Sequence, residues 1–200
     1  MRQILDFIGL GTAGLPGRMG RGRGAISDES MAFYGGPLAR RPRSASALAA
    51  VFADFFGCAV EIAPCRGRWL RIEEGDLTKP RPRGGNNILG ENAVLGDRAC
   101  DRQSSFRVCV GPLALPDFIA FLPGGERFAA AQRMIRFAAG APLDWDFQYL
   151  LRDVPPCVLT TNPQSAPRLG WTTWVGTRPF NRPVESVIVK INFRGVFDDK

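Results

Sequence analysis

Residues 86 to 113, NNILGENAVLGDRACDRQSSFRVCVGPL, carry a frame that returns later in the chain. Leu89-Gly90, Leu95-Gly96 and Arg98 are answered 80 positions on by Leu169-Gly170, Val175-Gly176 and Arg178. A constant offset at several points predicts a duplicated structural unit. Duplicated units more often build assemblies than active sites. The same stretch ends in the alternating run Phe106-Arg107-Val108-Cys109-Val110, which predicts a β-strand with one buried face.

Element order around the two frames also repeats. A short helix is expected over residues 28–41, capped by Ser27 or Asp28 and stopped near Gly35-Gly36-Pro37. A clearer helix follows: Ser44 can cap it, Leu48, Val51, Phe52, Phe55 and Phe56 recur at helical spacing, and Gly57 suits the left-handed position after its end. Strand-like CAVEIAP and the apolar patch Trp69, Leu70, Ile72 come next, then the polar loop 73–85. PDFIAFLPGG predicts a short helix with a Pro-Gly-Gly stop. The second pass runs helix GERFAAAQRMIRFAA to Gly140, strand-like APLDWDFQYLLR, loop 153–167, the second Leu-Gly frame and a strand from Val184 to Phe193. The predicted class is α+β, with two pseudo-repeats, each a helix plus a small antiparallel β unit with a projecting loop. Boundaries are set at 1–43 for an N-terminal linker and short helix, 44–117 for the first repeat, and 118–200 for the second with its C-terminal strand.

The residues expected to fix the repeated turns are Asn86, Asn87, Gly90, Gly96, Arg98, Asp101, Arg102, Gln103, Arg107, Gly170 and Gly176. Glycines shape the turns and the alternating charges lock them. A catalytic alternative would pair Asp97 with Asp101 as acid and base, but neighbouring arginines hold carboxylates ionised and poor at donating protons. A salt-bridge lattice is the stronger reading.

Composition narrows the function. Histidine is absent, which removes the commonest general acid-base group, the usual zinc ligand and every Ser-His or Cys-His nucleophile. The five cysteines (Cys58, Cys65, Cys100, Cys109, Cys157) form no C-x-x-C pair, so buried free thiols in a reducing compartment are expected rather than a metal site. No catalytic residue, metal or cofactor is assigned. Net charge is +7, carried almost wholly by arginine. Such a surface suits nucleic acid, an anionic membrane or an acidic protein partner, although a genome that favours arginine codons would also produce it. No run approaches 18 apolar residues, so membrane insertion is not expected. Gly9-Leu-Gly-Thr-Ala-Gly14 matches a dinucleotide-binding turn in form, but the LPGRMGRGRG that follows cannot start the helix that would hold a pyrophosphate. RMGRGRG at 18–24 reads as flexible linker in preference to a nucleic-acid tract.

Several separate stretches resemble one family in its order: RPRSASALAAVFADFFG, GRWL, NNILGENAVLGDRACDRQSSFRV, FLPGG, LDWDFQYLLR and RLGWTTWVG. Together, over about residues 28 to 176, they resemble the C-terminal part of the type VI secretion baseplate subunit TssG, also called ImpH or VasB. The resemblance implies a bacterial, cytoplasmic, non-enzymatic structural subunit of a contractile, phage-tail-like injection machine, assembled at the cytoplasmic face of the inner-membrane envelope complex. It implies TssF, TssK and TssE as partners around the VgrG spike, with no nucleic acid, membrane insertion or small-molecule substrate. Two foot-like parts of the family are thought to engage TssK. That implies contact residues on loops 73–85 and 153–167 and beside them: Asp76, Leu77, Pro80, Pro82, Pro155, Pro156, Val158, Leu159, Trp171 and Trp174. Family members carry a substantial region ahead of this stretch, needed in part for packing on TssF; most of it is expected to be missing here. The competing reading is a basic nucleic-acid-binding protein.

Overall fold

The structure is a computed structural model that describes residues 6, 17, 19–81, 84–140, 143–152, 168–174 and 184–191. Two short helices, α1 (Asp28–Phe33) and α2 (Gly35–Ala39), replace the single helix expected over 28–41; the chain breaks at Tyr34, and Ser27 caps α1 by accepting from Ser30 N at 3.1 Å. α3 (Ala45–Phe56) is capped by Ser44 and closed by Gly57 at φ 69°, as the sequence predicts. β1 (Val60–Ala63), β2 (Arg68–Arg71), β3 (Arg98–Asp101) and β4 (Ser105–Leu113) follow. Next come α4 (Leu115–Phe121), α5 (Glu126–Ala139, ended by Gly140 at φ 64°), β5 (Asp144–Leu151) and β6 (Val184–Ile191).

Four strands form one sheet in the order β1-β4-β5-β6, while β2 and β3 pair separately as a two-stranded ribbon. The class is α+β: β1/β4 and β5/β6 are antiparallel pairs, as expected, and parallel pairing of β4 with β5 joins them into one mixed sheet. A parallel pair needs a crossover. Here α4 and α5 supply it. Alternation along β5 turns Trp145, Phe147, Tyr149 and Leu151 inward, beside Phe106, Val108 and Val110 of β4. The helices cover that face with Phe52, Phe56, Phe118, Phe121, Phe128 and Ile135, giving one core among the described residues. Tyr149 sits at its centre, stacked on Phe147 at 5.6 Å, edge-on to Phe118 at 5.7 Å, with its hydroxyl donating to Phe121 O at 2.8 Å. Burial holds this phenol well above its ordinary pKa, so it stays a donor.

The halves share an order of helix, strand, excursion, strand: α3-β1-excursion-β4, then α5-β5-excursion-β6. Superposing β1-β4 on β5-β6 would need a half-turn about an axis in the sheet, because β4 and β5 run the same way. That turn would carry the covering helix to the other face. Yet α3 and α5 touch on one face over a common core. The shared order therefore does not extend to a shared hand, and the expected boundary at 117/118 falls inside α4.

The segment read as linker is a strap. Ile26 is buried, its amide bonds Met19 O at 2.9 Å, and Arg133 of α5 donates to the carbonyls of Met19 (3.2 Å) and Arg21 (2.5 Å). Gly24, at φ 69°, lies so close to α5 that a Cβ would overlap the Ala129–Ala130 peptide. Glycine in an Arg-Gly run reads as flexibility, but here it allows close approach. Gly24→Ala should lose about 1–3 kcal/mol through strain and clash. Gly36→Ala, in α2 with open space around it, should gain about 0.4–1 kcal/mol by restricting the unfolded chain. Paired thermal melts check both signs.

Candidate partner-docking surface

The β2–β3 ribbon leaves the sheet as an arm. Arg68 pairs with Asp101 and Trp69 with Cys100, and between the strands lies an excursion from Ile72 to Asp97. β3 is the element that sequence reading missed. Its four residues, RACD, have no apolar alternation and looked like part of a charged turn. Trp69 is 67% exposed, and a two-stranded ribbon has no second layer to cover it.

At the root, ionic contacts tie the arm to the sheet. Arg68 bonds the carboxylate of Asp144 on β5, donates to Ser104 Oγ at 3.2 Å and lies 3.7 Å from Asp101. Asp101 accepts from the Ser104 hydroxyl and from Gln103 N at 2.9 Å. The Ser104 hydroxyl first, then the Gln103 amide, hold its carboxyl below the ordinary range. It is an ionised anchor with no proton to donate. Arg107 makes a bidentate pair with Asp146, at 2.6 and 2.7 Å, and donates to Gln148 at 3.2 Å. Of the expected lattice, Arg107, Asp101 and Gln103 are in place. Arg98 has only a distant, exposed contact with Asp97 at 4.0 Å, and Arg102 stands exposed. The partners on β5, Asp144 and Asp146, lie outside the motif, so only the sheet pairing reveals them.

Beyond the root, side chains hold the excursion in shape. Thr78 Oγ1 donates to Val94 O at 2.9 Å and accepts from Val94 N at 2.8 Å. Asn86 donates to Asp76 O at 2.9 Å and Asn87 to Arg81 O at 3.1 Å. Gly90 (φ 82°) and Gly96 (φ 93°) turn the chain where another residue would be strained. The arm then presents Leu89, 93% exposed, and Leu95, fully exposed, with Ile88 and Val94 beside them. Burying one leucine is worth roughly 1.5–3 kcal/mol, so such a cluster in water favours a partner.

The second frame lies close against the core. Leu169 is 93% exposed, but Trp171 and Trp174 are half-buried. Trp174 meets Phe118 at 6.2 Å, and the Arg168 guanidinium lies 5.8 Å over Trp171. Both tryptophans pack part of their surface on the core, contacts that depend on neighbours distant in sequence. On the first loop Asp76 and Pro80 are exposed and Leu77 is half-buried. Pro82, Pro155, Pro156, Val158, Leu159 and Gly176 lie outside the described residues.

Among the described residues no three His, Cys, Asp or Glu side chains gather where they could hold a metal ion. No helix among them is long and apolar enough to cross a membrane.

The arm is thus a ribbon with exposed apolar residues at its tip, tied by ion pairs to a helix-covered sheet. A family model described as "Type VI secretion, TssG" matches residues 1–176. The chain belongs to the type VI secretion TssG family. The match begins at residue 1, ahead of the stretches that carry the resemblance in sequence. The fold resembles a chain of a type VI secretion TssK-TssF-TssG baseplate subcomplex solved by cryo-electron microscopy, at TM-score 0.67 and 16% identity, covering 96% of this chain and 76% of that one. It also resembles a chain of the baseplate complex from the type VI secretion system, at TM-score 0.58 and 19% identity, covering 94% of this chain and 52% of that one. No curated protein matches.

Arg107→Met strands the Asp146 carboxylate, whose side chain is 16% exposed. It should cost a few kcal/mol, toward the lower end of the roughly 3–5 kcal/mol seen for buried pairs. Adding Asp146→Leu should recover much of that loss, since no charge is then left buried; denaturant titration of the single and double variants measures it. Thiol labelling should separate the cysteines: Cys65 and Cys100 are exposed, while burial pushes the Cys58 and Cys109 thiols up. Brief alkylation read by mass spectrometry should modify the first pair well before the second.

Proposed function

We propose that this chain is a structural subunit of the type VI secretion baseplate that bridges TssF and TssK, works by binding rather than catalysis, and sits at the cytoplasmic face of the inner-membrane envelope complex. TssE and the VgrG spike complete its surroundings in this reading. The family match over residues 1–176 carries it. The likeness of fold to a chain of a TssK-TssF-TssG subcomplex supports it. So does the arm, whose ion-paired root and apolar tip suit a contact between subunits.

The projecting segments are the part we assign to TssK. On the first segment, loop 73–85, Asp76 and Pro80 are exposed and available for that contact. Loop 153–167, with Pro155, Pro156, Val158 and Leu159, is its proposed counterpart. The fixed shape of the arm supports this assignment, because a preordered arm loses little freedom on docking.

Co-expression with TssF and TssK followed by size-exclusion chromatography tests the bridge. All three chains should co-elute, and shortening both loops should release TssK while TssF stays. Retention of TssK by the doubly shortened chain would rule out the loop assignment. Failure of the intact chain to co-elute with either protein would rule out the bridge itself.

A further inference from the structure

Where α3 begins and α5 ends, a groove of about 420 Å³ opens over one end of the sheet. Leu48 of α3, Ile62 of β1, Phe106 of β4 and Leu143 just ahead of β5 form its apolar walls. Leu48, Ile62 and Leu143 are only half-buried, so the core is incompletely covered here. Two arginines line the groove as well, Arg41 exposed and Arg43 half-buried.

Arg43 spends its donors on backbone carbonyls, those of Leu38 at 2.9 Å, Phe137 at 3.3 Å and Ala138. Burial first, then the charge of Arg41, pushes its pKa down. The two guanidiniums therefore crowd each other, and among the described residues neither has an ion pair with a carboxylate. A second group nearby also lacks a partner. Trp145, stacked on Phe106 at 6.3 Å and 3% exposed, has an indole Nε1 with no acceptor. Buried donors are nearly always paired. Bare apolar walls, unrelieved positive charge and an orphan donor fit an extended segment that carries aromatic and acidic side chains.

β6 finishes at this same end of the sheet, with Ile191 opposite Trp145. Beyond it come residues 192–200, NFRGVFDDK, which lie outside the described residues. We propose that residues 193–199 occupy the groove, with Phe193, Val196 and Phe197 on its apolar walls and Asp198 and Asp199 against Arg41. Carrying the β5–β6 register on by two residues sets Phe193 opposite Leu143. From there to Phe106 on β4 is two strand spacings, about 10 Å. At ~3.3 Å each, about three or four extended residues span that gap. Val196 and Phe197 then reach the groove, and the aspartates follow beside Arg41. The carbonyls of the same segment supply acceptors for Trp145 Nε1. Its tether through β6 gives this occupant a high effective concentration over any free segment of like chemistry. The inference does not depend on the bridging reading.

Photocross-linking of the full chain provides the test. With p-benzoylphenylalanine in place of Phe197, mass spectrometry should find it joined to peptides that carry Leu48, Ile62 or Phe106. An equal mixture of isotope-labelled and unlabelled chain separates links within one chain from links between copies. Arg41→Glu should cut the link severalfold, because it then repels the aspartates. Adding Asp198→Arg and Asp199→Arg to that variant should restore it. Arg43 is left unaltered throughout, so its bonds to the end of α5 are kept. Links that fall elsewhere on the chain, or no link at all, overturn the proposal. So do links between copies, which would make the occupant a second copy's segment, and a yield that Arg41→Glu leaves unchanged.

Discussion

Parallel pairing of β4 with β5 is the constraint on which everything else rests. Its register sets Phe106 beside Trp145, Val108 beside Phe147 and Val110 beside Tyr149, so the two central strands build one continuous inner face. Strands that run the same way cannot be joined by a tight turn. The chain between them must leave the sheet and return, and α4 and α5 do this over the inner face. That crossover places Phe118, Phe121 and Phe128 on the aromatic stripe. It also leaves β1 and β6 at the sheet's edges, each joined to its neighbour through an excursion.

From this core the structure reaches outward by polar means. The ribbon has no apolar layer of its own, and an isolated two-stranded ribbon is marginal in water. Arg68 offsets that by tying β2 to Asp144 on β5, and Arg107 braces β4 against β5 through Asp146. Further out, Thr78, Asn86 and Asn87 satisfy backbone groups that no sheet reaches. Apolar side chains are thereby free to face outward at the tip. Polar residues hold the described part of the arm in shape, and its apolar ones face water.

Much of this could be read from residue order. Ser44 and Gly57 bracket α3 because a hydroxyl cap and a left-handed glycine are local demands, met within a few residues. The alternation of DWDFQYLL gives β5 for the same reason. The packing of Trp174 on Phe118 is not legible in residue order, because an exposed tryptophan and a packed one look alike in sequence. Gly24 was misread because a glycine that permits motion and one that permits contact with α5 carry the same letter. β3 was missed because its pairing with β2 is set across an excursion, with no pattern of its own.

Residue order by itself determined the ends of α3 and α5, the faces of β4 and β5, the paired Leu-Gly turns and the family, since each depends on local geometry or on motifs kept in line along the chain. Tertiary structure alone decided that the two halves share one core, that they differ in hand, and that the leucines face outward while the tryptophans turn in. Those outcomes depend on which surfaces meet, and a crossover over one face of a sheet settles that only once the strands have paired.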